Sequence, residues 1–282
     1  SSSDAARALV GTEQGTTPIN VMSEKEHVIE LGAAYRFNDN LDLDFAGYGK
    51  LIDNFIVKVE LASSGVIFPV NLKNGMVIGG ELQLRLHNWN NFSATLGFTT
   101  CLSVGLKPSD SSSPIAAGLI LGEEGENYSH PFAGEDQFKT EHNQLLTGTL
   151  NVNYDHPSGF FGLLGARFDS GLPFDLAKNG VGLDAEQSRT ELLRRGYSQE
   201  VIDMLDLNSD LPGSPDKSVA PHFLIDLGAG FDFDKDFRIP AKITAAVMNV
   251  LDTKYLYKFE SSFGGTHFGV PRAYSVMLQV KI

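Results

Sequence analysis

Hydrophobic and polar residues alternate along most of the chain. Between positions 77 and 88, Ile78, Leu82, Leu84 and Leu86 share one parity, while Glu81, Gln83, Arg85 and His87 share the other. A helix would scatter these residues around its circumference. A strand, whose side chains alternate, puts the leucines on one face and the charges on the opposite one. The same alternation recurs over 27–37, 41–50, 92–102, 145–155, 160–170, 223–233, 241–251 and 270–282. In 160–170 it is imperfect, because Phe161 and Leu163 sit on the polar side. The pattern therefore predicts about nine strands.

The connections alternate as well. Short turns are predicted at 38–40, 88–91, 155–159 and 234–240, and long loops at 54–75, 107–141, 171–221 and 252–269. Short turns on one side and long loops on the other are the arrangement of a transmembrane β-barrel; soluble up-and-down barrels rarely keep that asymmetry. Tyr35, Phe37, Trp89, Phe92, Tyr154, Phe160, Phe231, Phe233 and Phe237 gather near the short turns. They fit an aromatic girdle at a membrane interface, or simply the preference of aromatics for strands. Residues 184–205 break the pattern and read as two short helices, 184–195 and 198–205, inside a long loop. Gly196 ends the first and Ser198 caps the second. Leu192, Leu193, Val201, Ile202 and Leu205 would form their apolar face.

Composition narrows the classes further. With 42% hydrophobic and 20% charged residues the chain is not of the disordered type. The 29 glycines and 19 phenylalanines suit turns and strands. A net charge of −13 and a pI of about 4.9 argue against nucleic acid and against docking on an anionic leaflet through a basic patch. Acidic loops would suit cationic or metal-bearing partners, or merely keep the surface soluble. Cys101 is the single cysteine, so no intrachain disulfide forms. The start, Ser1-Ser2-Ser3-Asp4, has neither the charged nor the apolar region of a signal peptide. No apolar run reaches the roughly 18–20 residues of a spanning helix, whereas a barrel strand needs only about 9–11 alternating ones.

No constellation for catalysis is visible: there is no Gly-x-Ser-x-Gly, His-Glu-x-x-His or phosphate-binding glycine loop. No enzyme, cofactor or metal site is expected. Asp232, Asp234 and Asp236 have a calcium-loop spacing but lack its glycine and distal glutamate. His130, His142, His222 and His267 fall in or beside long loops, as scattered surface histidines or as groups for a metal chelate or pH sensing.

The last third carries a set of motifs in close succession: Asp226-Leu227-Gly228-Ala229-Gly230, Val247-Met248-Asn249-Val250-Leu251-Asp252, Ser262-Phe263-Gly264-Gly265-Thr266-His267-Phe268 and Pro271-Arg272-Ala273-Tyr274. Earlier come Glu30-Leu31-Gly32, Gly80-Glu81-Leu82, Glu141-His142-Asn143, and Arg167-Phe168-Asp169-Ser170-Gly171-Leu172-Pro173-Phe174. In order and spacing, over roughly 5–282, these resemble the C-terminal part of the β-barrel of a TonB-dependent receptor, particularly the large Oar-like, acidobacterial type. The resemblance implies an all-β, antiparallel transmembrane barrel in the cell outer membrane. Such barrels have about 22 strands; the nine here would be strands 14–22, with 1–26 in an extracellular loop, 27–282 as barrel strands and loops, and the helical segment as a small extracellular insertion. Family barrels usually end in Phe, where this chain ends in Ile282. The plug domain and TonB-binding segment are absent from these residues, and nine strands leave two unpaired edges, so the expectation is a portion of a larger receptor.

The resemblance also implies partners: outer-membrane lipid, the receptor's own plug and N-terminal strands, the TonB complex, and a ligand of siderophore, oligosaccharide, cobalamin or peptide class. Lumen-facing Glu81, Arg85, Arg167 and Asp169 become candidates for contacting plug or substrate. Tyr257, Phe263, His267 and Phe268, beside the last loop, either touch a ligand or stabilise the loop. An alternative from another class is an adhesin or assembly protein that binds a partner through its acidic loops and imports nothing.

Overall fold

A computed structural model describes residues 21–60, 67–72, 74–106, 137–139, 143–174, 177–178, 181–182, 184–208, 217–261 and 265–280. All nine expected strands form: β1 (Lys25–Asn38), β2 (Leu41–Asp53), β3 (Asn74–Trp89), β4 (Phe92–Leu106), β5 (Leu146–Asp155), β6 (Phe160–Asp169), β7 (His222–Asp232), β8 (Ala241–Met248) and β9 (Ala273–Val280). They build one antiparallel sheet in strict sequence order, with β1 and β9 at its edges. A short segment, Gln137–Lys139, adds to the long-loop end of β4.

Alternation sets the two faces. The parity of Ile29, Leu31, Ile78, Leu82, Val276 and Leu278 points outward and is exposed, up to 74% for Leu31 and Val276. The opposite parity carries Asp42, Asp44, Glu81, Arg85, Thr99, Asn151, Arg167 and Asp169. An outward face so apolar is unstable in water and suited to lipid.

The short turns are built from local chemistry. Asn90 and Asn91 both have positive φ (50° and 69°), as a two-residue primed turn requires, and Trp89 pairs with Phe92 across them. Tyr35 and Phe37 lie edge to face with ring centroids 4.9 Å apart; Phe92 and Tyr154, at 4.7 Å, and Phe231 and Phe233, at 5.1 Å, pack with tilted rings. The aromatics near these turns thus form a lateral belt. One turn departs from expectation. Phe233 does not continue β7 but opens a short helix, α3 (Phe233–Phe237), because the Asp232 side chain accepts the Asp234 N–H and caps it. The calcium-like Asp spacing is this cap.

The helical insertion appears as α1 (Ala185–Arg194) and α2 (Gln199–Ile202). Asp184 and Gln187 form a reciprocal capping box, Gly196 (φ 90°) follows the end of α1, and the Ser198 hydroxyl accepts the Val201 N–H. Leu192, Ile202 and Leu205 are buried here, and Val201 packs against them; Leu193 is exposed, since it points away from the shared face. Nor is the insertion packed only on itself. Its core includes Phe174, Met204, Leu207 and Val219 from the same loop, together with Leu256 and Phe259 from the final long loop. Those two belong to a hairpin, Leu256–Ser261 with Gly265–Phe268. The two loops therefore share one hydrophobic cap above the sheet.

Gly171 makes the entry into that cap possible. Its φ is +84°, and a Cβ there would run into the Val219 carbonyl oxygen. The chain turns sharply after Ser170 and delivers Phe174 to Phe259, ring centroids 4.9 Å apart.

Candidate functional site

The cap rests on the sheet through a cluster at the long-loop end of β6 and β7. Asp169 ends β6 and lies opposite His222, which opens β7. Arg167, two residues earlier on the same face, reaches Asp169 Oδ2 through Nε at 2.8 Å. Its Nη2 donates to the Tyr257 phenolic oxygen at 3.2 Å, and Tyr255 OH donates to the same oxygen at 3.0 Å. The His222 ring stacks on Tyr255 with centroids 4.4 Å apart, and its Nε2 lies 3.4 Å from Asp169 Oδ2. Gln144 Nε2 donates to the other Asp169 oxygen at 3.2 Å. Burial pushes the Tyr255 phenol above its ordinary value, helped by its bond to Tyr257. The bonds from Tyr255 and Arg167 favour phenolate at Tyr257 and hold it below the usual range.

Next to this cluster lies a polar knot that explains a sequence motif. Asn249, buried with φ 49°, donates from Nδ2 to the carbonyls of Thr253 and Val270 at 3.0 and 3.1 Å. Its Oδ1 accepts the Thr253 N–H, and its own N–H donates to Asp226 Oδ1 at 2.7 Å. Asp252 Oδ1 accepts the Arg272 N–H that precedes β9. Asn249-Val250-Leu251-Asp252 thus ties β7, β8 and the start of β9 together, and it ends β8 at Met248 rather than at 251. Gly269 lies against the Tyr255 ring, where a Cβ would clash, and so lets the hairpin close.

Of the sequence-derived candidates, Arg167, Asp169 and Tyr257 come together. Glu81 lies on the same lateral row as Asp169, through Thr99 and Thr147, but three strand spacings away, roughly 14 Å. It is exposed and makes no ion pair among the described residues. Arg85 belongs to a second cluster near the short turns: it pairs with Asp44 and bonds Gln83 at 2.7 Å, beside Asp42, which holds Arg36 and His87 at 2.9 Å each. The four lumenal charges therefore fall in three places: Arg167 with Asp169, Arg85 with Asp44, and Glu81 apart from both. His267 and Phe268 are exposed on the final hairpin; Phe263, His130, His142 and Ile282 lie outside the described residues. Sequence reasoning missed Tyr255 altogether and placed His222 among surface histidines. The alternation of β7 offered one signal, since His222 shares the lumenal parity of Asp226.

No described helix is long and apolar enough to cross a membrane. The model of the TonB-dependent receptor-like β-barrel family matches residues 11–250. The chain belongs to that family and is an outer-membrane β-barrel protein. Solved structures share the fold: the ferric-catecholate import receptor Fiu from Escherichia coli K12 (14% identity, TM-score 0.56, 95% of this chain and 30% of that one), the copper transporter OprC (16%, 0.57, 93% and 32%), and the siderophore receptor PiuA from Acinetobacter baumannii (15%, 0.56, 90% and 28%). The chain spans about a third of the length of these structures. No curated protein matches it.

Proposed function

We propose that the chain supplies barrel wall and ligand-facing outer loops to a TonB-dependent importer. In this reading the nine strands are strands 14–22 of a barrel of about 22, residues 1–26 belong to an extracellular loop, and a plug domain with a TonB-binding segment is part of the same receptor. The ligand is a metal-bearing chelate such as a ferric siderophore, captured at the cap and passed along the lumen as the plug rearranges; no covalent chemistry is involved. The observation that carries the reading is a wall with an apolar outer and polar inner face, topped by two loops folded into one cap that is tied to the inner face at Arg167 and Tyr257. The similar structures include a ferric-catecholate import receptor, a siderophore receptor and a copper transporter, which favours metal chelates.

Accumulation of radioiron-labelled ferric catecholate by cells expressing the intact receptor tests this. Uptake is expected in cells with a working TonB complex and not in cells lacking it. Surface binding that is equal in both strains, with no accumulation in either, would replace import by the adhesin reading.

A further inference from the structure

The inner face of the wall is divided from side to side. On β4 and β5 it carries Thr95, Thr99, Thr147, Thr149, Asn151 and Asn153, with Thr95 opposite Asn151 and Thr99 opposite Thr147. None of the six is charged, and their side chains make no hydrogen bond among the described residues. Gly97 lies opposite Thr149, and a Cβ on it would stand only 3.0 Å from Thr149 Oγ1, so glycine keeps that hydroxyl clear.

On β6 to β9 the same face carries an apolar patch. Phe161 and Leu163, which break the alternation of β6, lean onto two glycines of β7. A Cβ on Gly230 would meet the Phe161 ring at 2.3 Å, and one on Gly228 would meet Leu163 Cδ1 at 3.3 Å. The Lys242 ammonium lies over the Phe161 ring, 4.1 Å from its centroid. Phe161 is buried by these contacts, but Leu163, Met248 and Met277 remain 39%, 46% and 57% exposed. Met277 sits in the row that runs from Phe161 through Gly230 and Thr244.

Both stretches look into the barrel, so lipid covers neither. A free hydroxyl or amide there needs water or a hydrogen-bonding partner. An exposed leucine or methionine needs the opposite, a surface that excludes water, and methionine adapts readily to a protein surface. A body that fills the lumen therefore gains most by packing on the apolar patch and loses least by leaving the free polar groups to water. The chain spans about a third of the length of the solved structures it resembles, and the import reading places a plug domain among the rest.

We propose that the inner wall is split into a plug seat, formed by Phe161, Leu163, Met248 and Met277, and a water-filled lane along β4 and β5 that admits polar solutes. The seat rests on the import reading, because that reading supplies the plug; the test below requires no transport, so a failure of uptake and a failure of the split are told apart.

The experiment is labelling of the intact receptor, purified in detergent, with a sulfonated maleimide. Single cysteines are placed in a Cys101→Ser background. Thr95→Cys and Asn151→Cys should react fast. Leu163→Cys and Met277→Cys should react roughly tenfold more slowly, because a covered thiol is reached only through local opening. The wall alone leaves both positions exposed, so their protection must come from another segment. Met248→Cys repeats the test should Leu163→Cys fail to insert. A photo-crosslinking p-benzoylphenylalanine at position 277 should join the wall to the plug. Equal rates on the two sides, or slow reaction at Asn151→Cys, would overturn the split. A crosslink to an outer loop, or none at all, would overturn the plug as the occupant.

Discussion

The wall and the cap use the same apolar residues in opposite ways. In β3, Leu82 faces outward and remains 36% exposed; in α1, Leu192 is fully buried, at 0%. Alternation in the wall puts every second residue toward the bilayer, where hydrocarbon replaces a packed neighbour. The cap stands in water and needs a core of its own, so it gathers Leu192, Ile202 and Leu205 from the insertion around Leu256 and Phe259 from another loop. The wall is held chiefly by ladders between adjacent strands, and the cap chiefly by packing between segments distant in sequence. The hydrophobic effect therefore shapes both regions, but only the cap resembles the interior of a soluble protein.

The comparison can be broken most sharply in the cap. Leu192→Ala should cost the cap about 2–5 kcal/mol through lost transfer energy and an unfilled cavity. Hydrogen exchange should show lost protection in α1 and in the final hairpin, with β3 to β5 unchanged; equal loss in the strands would mean that cap and wall are one cooperative unit. A charge in the lipid face is the matching test of the wall. Leu82→Arg near the middle of β3 should destabilise the barrel by roughly 2–4 kcal/mol in lipid vesicles, measured by guanidinium unfolding. A neutral outcome would show that Leu82 meets water or the lumen. The smallest effect concerns local chemistry within the cap. Asp184→Ala removes the capping box of α1 and should cost about 1 kcal/mol, seen as faster exchange in its first turn alone. Unchanged exchange there would mean that packing on Leu192, rather than the cap residue, holds the helix.

Strand number, faces and turns were readable because each is local. The exceptions were local too, and have identifiable causes. Phe233 leaves β7 because Asp232 caps a helix, β8 stops at Met248 because Asn249 turns at positive φ, and Leu193 is exposed because α1 has only one packed face. The candidate site was legible only in part. Parity identified Arg167 and Asp169 as lumenal, yet it also grouped them with Glu81 and Arg85, because it records which face a residue occupies and not its position on that face.

Sequence by itself determined the nine alternating strands, the asymmetry of their connections, the capped helices and the motifs of the family, all set by neighbours within a few residues along the chain. Tertiary structure alone decided that the loop after β6 and the loop before β9 share a core, and that this core lowers Tyr255 and Tyr257 onto Arg167, Asp169 and His222. The physical reason is that burial between distant segments depends on the shape and water exposure of the folded whole, which no period in the sequence encodes.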